Sequence, residues 1–104
     1  MKRSALKKQI ISTFKSFNPE KIILFGSLAR KESDEMSDVD LILVYNTDKR
    51  FMSRLKELYM SWDIPKAVDI LAYTPSEFEE MARESLFMQE VMKTAEVIYE
   101  RLQG

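Results

Sequence analysis

Residues 21–45 read KIILFGSLARKESDEMSDVDLILVY, and the arrangement of the whole chain follows from them. Lys21 to Phe25 is a short apolar run, rich in β-branched and aromatic residues, that predicts a buried strand ending at Gly26. Ser27 to Lys31 suits a short helix, and Glu32 to Ser37 is polar and loop-like. Asp38-Val39-Asp40-Leu41-Ile42-Leu43-Val44-Tyr45 then predicts a second strand, one that opens with two acids. Gly26 stands where strand gives way to helix, and the only other glycine of the 104 residues is Gly104. A chain that makes its other interior turns without glycine has a specific need for one here.

Working outward, Leu6, Ile10, Phe14 and Phe17 recur at helical spacing with Lys7, Lys8 and Lys15 between them, which predicts an amphipathic helix over 3–17 that Asn18-Pro19 stops. Phe51, Leu55, Leu58, Tyr59 and Trp62 predict a second amphipathic helix over roughly 48–62, with Thr47 or Asp48 as its N-cap. Ala67 to Tyr73 is a third strand, followed by the capping box Thr74-Pro75-Ser76-Glu77 and a helix from 75 to about 83. Phe87, Met88, Val91, Met92 and Ala95 give one more helix, and Glu96-Val97-Ile98-Tyr99-Glu100 a short closing strand. The order α-β-α-β-α-β-α-α-β implies an α/β (α+β) fold: a small mixed sheet flanked by helices, in a single pair of layers, as one domain over residues 1–104.

Composition narrows the chemistry. The chain is 45% hydrophobic and carries 16 basic against 17 acidic side chains, with no cysteine and no histidine. Thiol nucleophiles, disulfides, imidazole relays and thiolate or imidazole zinc sites are therefore excluded. Carboxylates without soft ligands suit hard cations such as Mg²⁺ or Mn²⁺, which points toward phosphate chemistry. No apolar run approaches the roughly 20 residues of a membrane span, and the absence of disulfides fits a reducing cytoplasm. The near-neutral charge argues against dedicated binding of duplex nucleic acid.

Asp38, Asp40 and Asp69 sit in strand-like, otherwise apolar surroundings, where carboxylates are rare. Alternation along a strand puts Asp38 and Asp40 on one face, and Asp69 joins them if its strand pairs alongside in suitable register. Clustered carboxylates repel and raise one another's pKa, a cost that divalent cations remove. The backbone N–H groups and hydroxyl of Gly26-Ser27 could cradle phosphates, and the missing Cβ permits close approach. Taken singly, Gly26-Ser27 is a turn glycine with a capping serine and Asp38-Val39-Asp40 a strand-end turn; three acids in apolar strands need a common explanation.

Leu24-Phe25-Gly26-Ser27-Leu28-Ala29-Arg30 and Ser37-Asp38-Val39-Asp40-Leu41 resemble the signature halves of the minimal nucleotidyltransferases, the smallest members of the polymerase-beta-type nucleotidyltransferase superfamily. Val68-Asp69-Ile70 looks like their third carboxylate strand, and the resemblance spans nearly the whole chain. It implies the nucleotidyltransferase fold, with Asp38, Asp40 and Asp69 as catalytic residues that hold two Mg²⁺ ions, or Mn²⁺ in their place. It implies too that Gly26 and Ser27 bind the triphosphate, with Arg30 as phosphate clamp and Ser37 as a secondary hydrogen-bonding group. Asp69 would serve the acceptor hydroxyl and help to remove its proton. The sequence departs from the pattern at Lys31-Glu32, where relatives often carry a glycine.

The resemblance also implies a partner. Members of this family act as antitoxins that transfer AMP from ATP to a tyrosine of a HEPN-type ribonuclease toxin, although nothing in these residues specifies tyrosine or adenine. The competing reading is a non-catalytic module that masks its partner stoichiometrically. Transfer to a small molecule such as an antibiotic is disfavoured because no segment is left to form an acceptor domain. Among the remaining features, Arg30 alone would equally be a surface ion pair, and Lys2, Arg3, Lys7 and Lys8 a solvated helix face. Asp34 and Glu35 read as solvated loop, Met52, Met60, Met81, Met88 and Met92 as core filler, and Tyr59 and Trp62 as the core face of their helix.

Overall fold

The apolar run Lys21–Phe25 forms the inner strand β1, and its neighbour β2, Val39–Val44, lies antiparallel to it with Phe25 opposite Asp40 and Lys21 opposite Val44. The computed structural model describes residues 2–30 and 38–102. Strand β3, Val68–Tyr73, pairs parallel to β2, and β4, Glu96–Glu100, pairs antiparallel to β1 with a register shift between Ile22 and Ile23. The resulting sheet has the order β3-β2-β1-β4. A parallel pair needs a crossover, and α3, Phe51–Ser61, supplies it between β2 and β3.

The helices α1, Arg3–Phe14, and α2, Gly26–Ala29, precede the crossover in the chain; α4, Pro75–Glu84, and α5, Leu86–Thr94, follow it. Strand alternation divides the core in two. Ile22, Leu24, Val39, Leu41, Leu43, Ile70 and Ala72 face Leu6, Ile10 and Phe14 of α1 and Leu58 of α3. Ile23, Ile42 and Val44 face Phe78 of α4 and Met88 of α5 on the other side. Both faces are thus covered, giving three layers where the sequence suggested a single pair. The reason is that β1 and β2 are apolar on both faces, as the burial of Ile22, Ile23, Leu24, Leu41, Ile42 and Leu43 shows.

Several boundaries move for local reasons. The first helix ends at Phe14 and tightens into a 3-10 turn over Lys15–Phe17, which Asn18 closes in the left-handed region at φ 52°. Helix α3 starts at Phe51, and its N-cap Arg50 makes no side-chain capping bond. Neither Thr47 nor Asp48 is the cap: the Thr47 hydroxyl accepts from the Lys49 N–H at 3.1 Å, within the turn before the helix. The Thr74–Glu77 capping box forms as the sequence predicts. Met88 is core, but Met52 and Met60 are 74% and 78% exposed and fill nothing.

The N-terminal cations are not simply solvated. Arg3 Nη2 and Lys7 Nζ meet the Glu96 carboxylate of β4 at 2.8 and 2.5 Å, and Arg3 Nη1 donates to the Leu28 carbonyl of α2. Lys7 first, and Arg3 second, hold the Glu96 carboxyl below its ordinary pKa. Arg54 of α3 is buried, a role that no sequence motif announced. It donates to the Lys49 carbonyl at 2.7 Å and the Ala72 carbonyl at 3.3 Å, and pairs with Glu77 at 2.6 Å. Among the described residues no helix is long and apolar enough to cross a membrane.

Candidate active site

The parallel register of β2 and β3 sets Asp40 directly beside Asp69. Register partners in a parallel pair point to the same face, so the two carboxylates project together. They share that face with Phe25, the antiparallel partner of Asp40, and with Ile42, Val44, Leu71 and Tyr73 farther along the strands. The apolar part of the face is covered by α4 and α5. Asp40 and Asp69 occupy its end: Asp40 is half-buried and Asp69 exposed. Asp38 immediately precedes β2 and is exposed.

The electrostatics match this placement. The Asp40 carboxyl is pushed above its ordinary pKa, first by burial, then by the negative charges of Asp69 and Asp38, while the Arg30 guanidinium draws it down. Asp69, Asp38 and the expected phosphate clamp Arg30 are therefore each within electrostatic reach of Asp40. Among the described residues, no three acidic side chains converge tightly enough to form a ready-made metal cage. The juxtaposition the sequence required of Asp69 is present, as a repelling pair with Asp38 nearby.

Gly26 and Ser27 open α2 immediately after Phe25 ends β1, so the turn lies beside Asp40 across the β1–β2 pair. The reason for glycine is visible in two ways. Its φ is +75°, a conformation that side chains rarely adopt, and a β-carbon there would fall 2.2 Å from Asp40 Oδ2. Close approach of a phosphate is thus not the only need for a missing Cβ: the nearest obstacle to one is the carboxylate of Asp40 itself. Arg30 is exposed and closes α2, its backbone N–H donating to the Gly26 carbonyl at 3.1 Å. Ser37 lies outside the described residues, as do Asp34 and Glu35.

Sequence reasoning missed the supports of the site. Arg3 ties α1 to the Leu28 carbonyl of α2 and to Glu96 of β4, next to the strand end from which Gly26 departs. A charged residue at a helix position that repeats toward the core is the available signal, and Arg54, among Phe51, Leu55 and Leu58, has it. Tyr59 is 40% exposed, and its hydroxyl accepts from the Ile70 N–H at 2.9 Å, one residue after Asp69.

Comparison with known proteins agrees with the geometry. The profile of the family described as "Polymerase beta, Nucleotidyltransferase" matches residues 8–103. A protein of Methanocaldococcus jannaschii named "Putative protein adenylyltransferase" is 28% identical over 74 residues, which cover 70% of this chain and 80% of that one. Among solved structures, a "putative nucleotidyltransferase" from Sulfolobus solfataricus superposes with a TM-score of 0.65 at 21% identity, covering 97% of this chain and 82% of the other. A toxin-antitoxin structure with AMP-PNP superposes with a TM-score of 0.64 at 19% identity, covering 93% of this chain and 75% of the other. The two solved structures share the fold, and the family profile takes in Gly26, Ser27, Asp38, Asp40 and Asp69 together: the chain belongs to the polymerase beta nucleotidyltransferase family.

Proposed function

We propose that this protein transfers a nucleoside monophosphate, AMP from ATP, to a hydroxyl of a protein partner, and that the partner is a HEPN-type ribonuclease toxin modified on a tyrosine, so that the protein acts as its antitoxin. The observation that carries this reading is the in-register pair Asp40–Asp69, set beside the Gly26–Ser27 turn. A purely structural pair of adjacent carboxylates would be a net cost, because burial and mutual repulsion already push the Asp40 carboxyl up. A divalent cation turns that cost into affinity.

The donor set suits Mg²⁺ or Mn²⁺: Asp38, Asp40 and Asp69 offer only oxygen, with no imidazole or thiolate in the chain to favour softer ions. When bound, such ions orient a triphosphate and neutralise charge that develops at its α-phosphate. Ser27 and the backbone of Gly26 hold the terminal phosphates, and Arg30 adds a guanidinium that matches phosphate oxygens. Asp69, the more exposed of the pair, accepts the proton of the acceptor hydroxyl, whose oxygen bonds to the α-phosphorus as the bond to the departing pyrophosphate breaks. AMP as the transferred group is supported by the name of the Methanocaldococcus relative, and a toxin as partner by the toxin-antitoxin structure that shares this fold.

The test is to incubate the protein with the product of its neighbouring gene, ATP and Mg²⁺, and to measure intact masses. The partner gains the mass of AMP, and tryptic mapping places it on tyrosine; a partner of unchanged mass sinks the proposal. Under stoichiometric masking, an Asp38→Asn, Asp40→Asn double variant would still neutralise the partner. Under catalysis it fails while remaining folded.

A further inference from the structure

Strand β3 lies at the edge of the sheet, with β2 on one side only. An edge strand is free to shift or fray, and a slip of one residue would carry Asp69 to the opposite face. The Val39 N–H donates to the Ala67 carbonyl and the Tyr45 N–H to the Tyr73 carbonyl, so the odd-numbered residues of this segment turn their backbone groups toward β2. The even-numbered groups point outward. Side chains of the crossover helix and its cap meet them: Tyr59 Oη accepts the Ile70 N–H at 2.9 Å, Arg54 Nη1 donates to the Ala72 carbonyl at 3.3 Å, and Trp62 Nε1 donates to the Lys66 carbonyl at 2.7 Å. The crossover thus does the work of a further strand along the outer edge of β3.

We infer that Tyr59 is a positioning residue for Asp69. The peptide plane joining Asp69 to Ile70 is held on both sides, its carbonyl directed at β2 by the ladder and its N–H held by the Tyr59 hydroxyl. Ile70 is itself buried in the larger core, so the plane is anchored at three points and the Asp69 side chain leaves it in a fixed direction. The inference rests on the reading of Asp69 as a member of the active site. Tyr59 touches neither carboxylate, and its role is exerted through the backbone.

The test is Tyr59→Phe, which removes one oxygen from a partly exposed ring and leaves the core intact. Hydrogen exchange at the Ile70 amide accelerates about tenfold or more as its acceptor is lost. Mn²⁺, titrated alone, binds several-fold more weakly, and kcat for transfer falls about tenfold with KM for ATP changed by less than about twofold. A control of similar thermal stability, Met52→Gly on the exposed side of α3, leaves all three readouts unchanged. Unaltered Ile70 exchange, unaltered Mn²⁺ affinity, or an equal loss in the control overturns the positioning role. The exchange and Mn²⁺ readouts need neither nucleotide nor acceptor; if the unsubstituted protein transfers nothing, it is the proposed function that fails, and these two still decide the role of Tyr59.

Discussion

A β-carbon on Gly26 would lie 2.2 Å from Oδ2 of Asp40, so the turn that ends β1 and the acid that opens β2 are fitted to one another. The fit runs through the β1–β2 pairing, which sets Phe25 opposite Asp40 and brings the next residue, Gly26, over the carboxylate. The Gly26 turn, proposed to hold phosphate, and the Asp40 carboxylate are therefore mechanically one unit.

Gly26→Ala is expected to cost about 2–3 kcal/mol, part from the left-handed backbone and part from the displaced carboxylate. In an Asp40→Ala background only the backbone part remains, about 1 kcal/mol, because the two closest atoms of the clash are gone. Urea denaturation of the four proteins measures the coupling. Additive costs would show that the contact does not constrain the turn.

Asp40→Asn should raise stability in the absence of divalent cations. The native state holds the Asp40 carboxyl above its ordinary pKa, so the unfolded chain is the better acid. Stability linked to Asp40 is complete below the ordinary value of 3.8 and is lost as pH rises through the elevated native value. At pH 7 with EDTA the variant therefore melts higher than the unsubstituted protein, and saturating Mg²⁺ or Mn²⁺ is expected to narrow or reverse the order because only the unsubstituted protein keeps every carboxylate proposed to hold the ion. A variant less stable in EDTA contradicts the electrostatic account.

The Arg3–Lys7–Glu96 network predicts the opposite pH behaviour. Glu96 is held below its ordinary pKa, so its contribution is present above 4.5 and disappears as pH falls through the native value. Glu96→Gln should melt lower than the unsubstituted protein at pH 7, with the gap closing in acid. A gap independent of pH would assign the loss to packing.

Glu77 closes the capping box of α4 and is also the partner of the buried Arg54. Glu77→Ala should cost about 2–4 kcal/mol, because it removes a cap and leaves a buried guanidinium with carbonyl acceptors only. Chemical denaturation checks this, and a loss below about 0.5 kcal/mol would show that Arg54 is satisfied without it.

Strands β1 and β3 were legible because each is an apolar run ended by an unambiguous signal: Gly26 after Phe25, Thr74-Pro75 after Tyr73. The Asp38-Val39-Asp40 spacing was legible too, but β2 begins at Val39, so only Asp40 of the two acids has its face set by the strand. The placement of Asp69 beside Asp40 was not legible, because strand register is a tertiary property. The third layer escaped notice because α4 and α5 offer only a small buried set, chiefly Phe78 and Met88. Roles such as those of Arg3, Arg54 and Tyr59 depend on partners 11 to 93 residues away, a pairing that no local pattern records.

Nucleotidyl transfer that depends on the paired aspartates is measured by following label from ATP carrying ³²P at either the α- or the γ-phosphate onto the partner protein. With Mg²⁺ present, α-label should appear on the partner and γ-label should not, and Asp40→Asn should reduce the α-signal by about a hundredfold or more. Transfer of γ-label, or α-label undiminished in Asp40→Asn, would contradict the account.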